Sequence, residues 1–115
     1  MKSISTLYYN QNKVIINGYD NIIAPAKIIQ CLVIDDRFII LLLDEKGMFS
    51  KTNVHCYNID GLLQWAIGEL DFVNARYYTS IYVLSDLFLY AYNICGVEVK
   101  LNYQTGEVLR TEHIK

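Results

Sequence analysis

The sequence predicts an all-β chain: two four-stranded antiparallel meanders preceded by an amino-terminal β-hairpin. Three observations predict it. Ten tyrosines and four phenylalanines stand beside many isoleucines and valines, and aromatic and branched side chains suit a pleated, packed surface. Short apolar runs alternate with turn-prone clusters along the chain. The same order of runs and turns then occurs a second time.

At 115 residues the chain is one domain around a single core. Its hydrophobic fraction of 53% against 19% charged residues excludes a disordered tail, and one proline with six glycines excludes a low-complexity linker. A net charge of -2 provides no broad positive field, which argues against nucleic acid and favours a basic partner. The opening "MKSISTLYYNQNK" has no apolar stretch of a secretory signal, so the expected location is cytoplasmic. "SIYVLSDLFLYAYNICGVEV" is interrupted by Asp86, Asn93 and Gly96, and reads as short strands rather than a membrane span.

In chain order, "SISTLYY" and "KVIIN" joined by "NQN" form the hairpin, which with its link occupies residues 1–26. The first meander, residues 27–67, runs "KIIQCLVI", the turn "DD", "RFIILLL", the polar loop "DEKGMFSKT", "NVHCYN", the turn "IDG" and "LLQWAI". The second, residues 80–114, runs "SIYVL", "SD", "LFLYAYN", "ICG", "VEVKLN", "YQTG" and "EVLRTEHI". The copies align when Gly61 is set on Gly106, and Asp35 and Asp36 on Ser85 and Asp86. A repeat of about 45 residues with four strands per unit is the period of propeller blades.

Strand faces agree with that reading. Phe38, Ile40 and Leu42 alternate with Ile39, Leu41 and Leu43, so this strand needs cover on both sides. Val97, Val99 and Leu101 alternate with Glu98, Lys100 and Asn102, which makes that strand one-sided. Inner strands are expected to be buried and outer ones half exposed.

"LNYQTGEVL", residues 101–109, resembles the "LDxxTGxxL" tail of the quinoprotein-type propeller repeat, with Asn102 at the usual aspartate; Gly61 and Trp65 repeat its GxxxW spacing. The resemblance implies two blades, a partial β-propeller or a two-sheet sandwich. It also implies that Trp65 docks one blade on the next, whereas Arg110 stands at the tryptophan position of the second copy. Two blades do not make the closed ring that holds a quinone cofactor, so the family's enzymology does not transfer.

No catalytic group, metal site or cofactor is expected. His55 and Cys56 are neighbours in a strand and leave opposite faces, while Cys31, Cys56 and Cys95 form no CxxC pair. No zinc ligand set, P-loop or nucleophile elbow occurs.

The acidic turns are the remaining candidates. In a four-stranded meander the second turn and the link to the next meander share one end. Asp44 and Glu45 would there join Glu69, Asp71, Tyr77 and Tyr78 of the linking segment. Carboxylates steer basic partners and tyrosines supply rigid contact area, so these six residues are the first-ranked partner surface. Asp35, Asp36, Asp60 and Asp86, in tight turns at the opposite end, rank second.

The expected function is non-enzymatic protein binding. By size, charge and fold the chain is similar to bacterial immunity proteins, antitoxins of secreted or contact-dependent growth-inhibition toxins, which implies a basic protein toxin as partner. The alternatives are a small ligand-binding or enzymatic β domain with a pocket between the sheets, and a structural subunit of a larger propeller-like assembly. Any apolar face left uncovered would pair two copies as a homodimer.

Overall fold

The computed structural model describes residues 3–43, 52–68 and 77–114. Among them every regular element is a strand: β1 Leu7–Asn10, β2 Lys13–Ile16, β3 Tyr19–Ile23, β4 Ile28–Ile34, β5 Arg37–Leu42, β6 Val54–Asn58, β7 Leu63–Ala66, β8 Tyr78–Val83, β9 Leu89–Asn93, β10 Val97–Leu101 and β11 Val108–His113. They form three antiparallel sheets with strand orders β1-β2-β3, β4-β5-β6-β7 and β11-β10-β9-β8. Among the described residues no helix is long and apolar enough to cross a membrane.

Each sheet is a meander of sequential strands, as the turn spacing requires. The amino-terminal pair differs from expectation by continuing into a third strand. Asn17 and Gly18 both hold positive φ, 52° and 84°, the conformation of a two-residue hairpin turn whose twist suits the strands on either side. "YDNII" conceals its strand character because Asp20 and Asn21 interrupt the apolar run; the Asn-Gly pair before it is the informative signal. Asn17 also gathers the chain end: its side-chain oxygen accepts from Ser5 N and Thr6 N at 2.8 and 3.1 Å, and its amide donates to Ser3 O at 2.9 Å.

The middle sheet is covered on both faces, as its double alternation demands. Phe38, Ile40, Leu42 and Ile28 meet Val14, Ile16 and Ala24 of the first sheet and its link. Ile39, Leu41, Val54, Cys56 and Trp65 meet Ile81, Leu89, Ala91, Val97 and Val99 of the third. Burying a Leu or Ile side chain contributes about 1.5–3 kcal/mol, so the two interlayers supply most of the favourable term.

Polar side chains fix how the sheets slide on one another. Gln30 in β4 grips the backbone of β8, donating to Ile81 O at 2.6 Å and accepting from Ile81 N at 2.9 Å. Asn53, fully buried, donates to Leu42 O and Tyr78 O and accepts from Tyr78 N, each at 2.9 Å. The Asn53 amide is satisfied inside the core, where an unpaired group costs about 1–3 kcal/mol, and the half-buried Gln30 amide is satisfied at its edge.

Trp65 docks the middle sheet on the third. Its indole N–H donates to Tyr103 O at 2.7 Å, and its ring lies so close to the Gly106 turn that a Cβ there would come within 2.6 Å of it. The docking expected from the GxxxW spacing is present. Arg110 stands on the third sheet's outward side, exposed.

Candidate protein-binding site

Asp44, Glu45, Glu69 and Asp71 of the first-ranked surface lie outside the described residues. Tyr77 is half-buried. Tyr78 is 1% exposed and belongs to the core between the middle and third sheets, so no partner reaches it. Burial pushes its phenol up to about 12. Strand alternation explains the difference: a bulge between Tyr78 and Ser80 puts Tyr78 on the same inward face as Ile81.

The opposite end is built from the β4–β5, β6–β7, β8–β9 and β10–β11 turns. Its four aspartates are set at the turns by local chemistry. Asp86 accepts from Phe88 N at 3.1 Å, an Asx-turn bond that closes the corner. Its other oxygen accepts from the Tyr90 hydroxyl and faces Lys100 Nζ at 3.4 Å. The Tyr90 hydroxyl, then the Phe88 N–H, hold the Asp86 carboxyl below its ordinary value, with Lys100 adding to them. Asp35 accepts from the Tyr103 hydroxyl across the sheet boundary, which pushes that phenol up. Asp36 lies 3.8 Å from Arg37, whose guanidinium also donates to Gln104 O at 2.9 Å.

Between these carboxylates the surface is apolar. Val33, Ile34, Asp35, Val83, Leu87 and Tyr103 line a cleft of about 300 Å³ between the middle and third sheets. Val33 and Val83 of its lining are exposed, as is Leu84 next to Val83 in the chain, and Leu87 is 72% exposed. Leu87 closes the Leu84–Leu87 turn through its N–H, 2.9 Å from Leu84 O, and holds φ at 65°. Left-handed backbone costs a residue with a Cβ about 1–2 kcal/mol, and such strain collects at functional positions. An exposed leucine in a strained turn, beside an apolar cleft and two aspartates, has the form of a binding anchor.

Sequence reasoning ranked this end second because tight turns account for aspartates by themselves. What it missed was the apolar content: Leu84 and Leu87 flank "SD" and read as strand ends. The available signal was a leucine in a turn where glycine or asparagine is normal.

His55 and Cys56 leave opposite faces as expected. Cys56 is buried against the third sheet and burial pushes its thiol up to about 11. His55 lies on the other face, its Nε2 2.8 Å from Thr52 O and its ring 6.4 Å from that of Tyr57. Among the described residues no group of three or more His, Cys, Asp and Glu is placed to hold a metal ion.

Two computationally designed proteins share the arrangement of sheets. Ika8 superposes with a TM-score of 0.62 at 12% identity, over 97% of this chain and 37% of that one. Ika4 does so with 0.63 at 14% identity, over 98% and 74%. The WD40 β-propeller domain of Doa1 follows with 0.55 at 17% identity, over 94% and 38%. At such identities the likeness concerns the fold alone, and it makes the stack of sheets propeller-like. The chain spans only about a third of Ika8 and of the Doa1 domain chain. No curated protein matches it. Residues 4–113 match the model of a family described as a domain of unknown function (DUF7957), and the chain belongs to that family.

Proposed function

We propose that the chain is a non-enzymatic binding module that takes a basic protein on the end face carrying Asp35, Asp36, Asp60 and Asp86, and that it acts as an immunity protein, neutralising a bacterial toxin such as a basic nuclease. The observation that carries the reading is Leu87, held exposed at positive φ beside the Val33–Val83 cleft. Apolar anchors of this kind supply affinity, and a surrounding carboxylate rim supplies steering and partner choice. Mild acidity and an all-β frame are features that such inhibitors share, and the quinoprotein-like turns of the middle and third sheets serve here as scaffold.

The test is co-expression with the carboxy-terminal domain of a large secreted protein encoded beside this chain. Rescue of growth together with co-purification is the expected outcome; toxicity without rescue overturns the reading. Leu87→Asn and Asp35→Lys should each weaken the complex. Alanines at Asp44, Glu45, Glu69 and Asp71 form the comparison arm, and a larger loss there assigns the interface to the other end.

A further inference from the structure

The first sheet has three strands where its neighbours have four, and the docking contacts identify the one it lacks. In β7 the Trp65 indole donates to Tyr103 O of the next sheet; in β3 the Asn21 amide donates to Ile59 O at 2.8 Å. A Cβ on Gly61 would strike the Asn21 side chain, as one on Gly106 would strike Trp65. Beyond these strands, Ala24 N donates to Asn12 O as Ile67 N donates to Val54 O. Thus β3 is the counterpart of β7, and β1 and β2 are counterparts of β5 and β6. The sheet lacks its first strand, the equivalent of β4 and β8.

Among the described residues no strand lies along the edge where that strand belongs, and the chain itself meets it at the turn, where Ile28 N donates to Gln11 O at 2.7 Å. Asn17 N donates to Thr6 O, and hydrogen-bonded pairs alternate along an antiparallel ladder. Tyr8 and Asn10 therefore exchange bonds with Ile15 and Lys13, while Leu7 and Tyr9 turn their N–H and C=O away from β2. Among the described residues no strand takes them up. Edges are ordinarily protected by lysine, proline or a bulge; "LYYN" has neither residue, and the bulge of this sheet lies between β2 and β3.

We propose that β1 receives an extended segment of another polypeptide, which completes the first sheet as its inner strand. The inner strand of the middle sheet, which has a following sheet to grip, supplies the chemistry of the occupant; in β8, with no following sheet, the same place is Ser80. Gln30 of β4 holds both backbone groups of Ile81, and Leu32 and Ile34, two and four residues on, pack against the next interlayer. Cys31 has the place in β4 that Ile81 has in β8: Cys31 pairs with Ile40 and Ile81 with Ala91, while Val33 pairs with Phe38 and Val83 with Leu89. The incoming segment is then a strand with glutamine followed at alternate positions by two apolar residues, its amide on the Cys31 backbone and its apolar side chains beside Leu7. Main-chain bonds supply affinity and the alternate side chains supply selection, as in other strand additions. This edge is separate from the Leu87 end face, and the inference stands whether or not a toxin binds there.

The probe is a synthetic peptide of the Lys27–Ile34 segment with Cys31→Ser, capped at both ends and titrated into the full chain. Saturable binding with slowed amide exchange at Leu7 and Tyr9 is expected. Replacing the peptide glutamine by leucine should weaken binding about tenfold, close to the loss of one or two hydrogen bonds. A peptide N-methylated on the edge facing β1 should not bind, and one methylated on the opposite edge should. Tyr9→Pro removes an outward N–H while sparing the bonds to β2, and should abolish binding with the fold intact by circular dichroism. No binding, or equal binding of the two N-methylated peptides, overturns the proposal. Concentration-dependent protection of Leu7 and Tyr9 in the chain alone also overturns it, by assigning the edge to a second copy.

Discussion

Close contacts at single residues make the strongest local predictions. Gly106→Ala must relieve a 2.6 Å approach to the Trp65 ring as well as adopt φ 77°. Gly18→Ala meets nothing within 4 Å and bears only the backbone cost at φ 84°. Overpacking adds about 1–3 kcal/mol to a backbone cost of about 1–2 kcal/mol, so urea unfolding should find Gly106→Ala roughly twice as destabilised as Gly18→Ala. Leu87→Asn has the opposite sign: a residue tolerant of positive φ replaces one that is not, and stability should rise by about 0.5–1 kcal/mol. Burial lowers the affinity of His55 for its proton, with the Thr52 carbonyl opposing. The unfolded chain binds that proton near the ordinary value of 6.5, whereas the folded chain takes it up only at lower pH. The stabilising contribution is therefore complete above pH 6.5 and lost as pH falls below it. The urea midpoint should drop between pH 7.5 and 5, and His55→Gln should flatten the drop. Trp65 as a docking residue was legible in the sequence because a turn glycine four residues earlier fixes its place; the strain at Leu87 was not, since φ is visible only in coordinates.

Among elements, the strands with alternating or doubly apolar runs were legible because burial has a period of two. β3 was not, since its side chains answer to a partner sheet rather than to their own pattern: Asn21 is polar because it docks on Ile59 O. The amide pins are likewise invisible in a linear reading, as Gln30 and Ile81 lie 51 residues apart. Asn53 shows what such a pin is worth. Asn53→Leu keeps the branched four-heavy-atom side chain but leaves Leu42 O, Tyr78 N and Tyr78 O without their bonds, in a site closed to water. With about 1–3 kcal/mol for each unpaired group and partial relaxation, a loss of about 3 kcal/mol is expected. Thermal unfolding checks it, and a change below about 1 kcal/mol would mean that the β8 backbone finds other partners.

Across the whole molecule the stack has an inward and an outward chemistry, and the third sheet marks the change. Where the middle sheet turns Ile39, Val54, Cys56 and Trp65 toward its neighbour, the third turns Tyr90, Glu98, Lys100 and Arg110 to the face away from the middle sheet, with Tyr90 buried beneath its neighbours there. The middle row is wholly apolar and the outer row is a bonded polar network. Tyr82 and Tyr90 stack at 5.8 Å, the Tyr82 hydroxyl donates to Glu98, and Lys100 lies 4.3 Å over the Phe88 ring. Repeat stacks end in a polar outer face of this kind, which denies a further unit a surface to bury. A second copy consequently finds no apolar layer on this face, and the chain should elute as a monomer in gel filtration at low concentration unless the exposed Tyr8, Tyr19 and Ile23 of the first sheet pair two copies instead. The converse test restores the inner pattern. Glu98→Val with Lys100→Val and Arg110→Trp would expose an apolar patch of several hundred Å², above what soluble monomers ordinarily carry, with a tryptophan where the middle sheet has its docking residue. That variant should dimerise in a concentration-dependent way by sedimentation. If it remains monomeric while folded, the polar face is not what ends the stack, and the curvature of the sheets has to supply the reason.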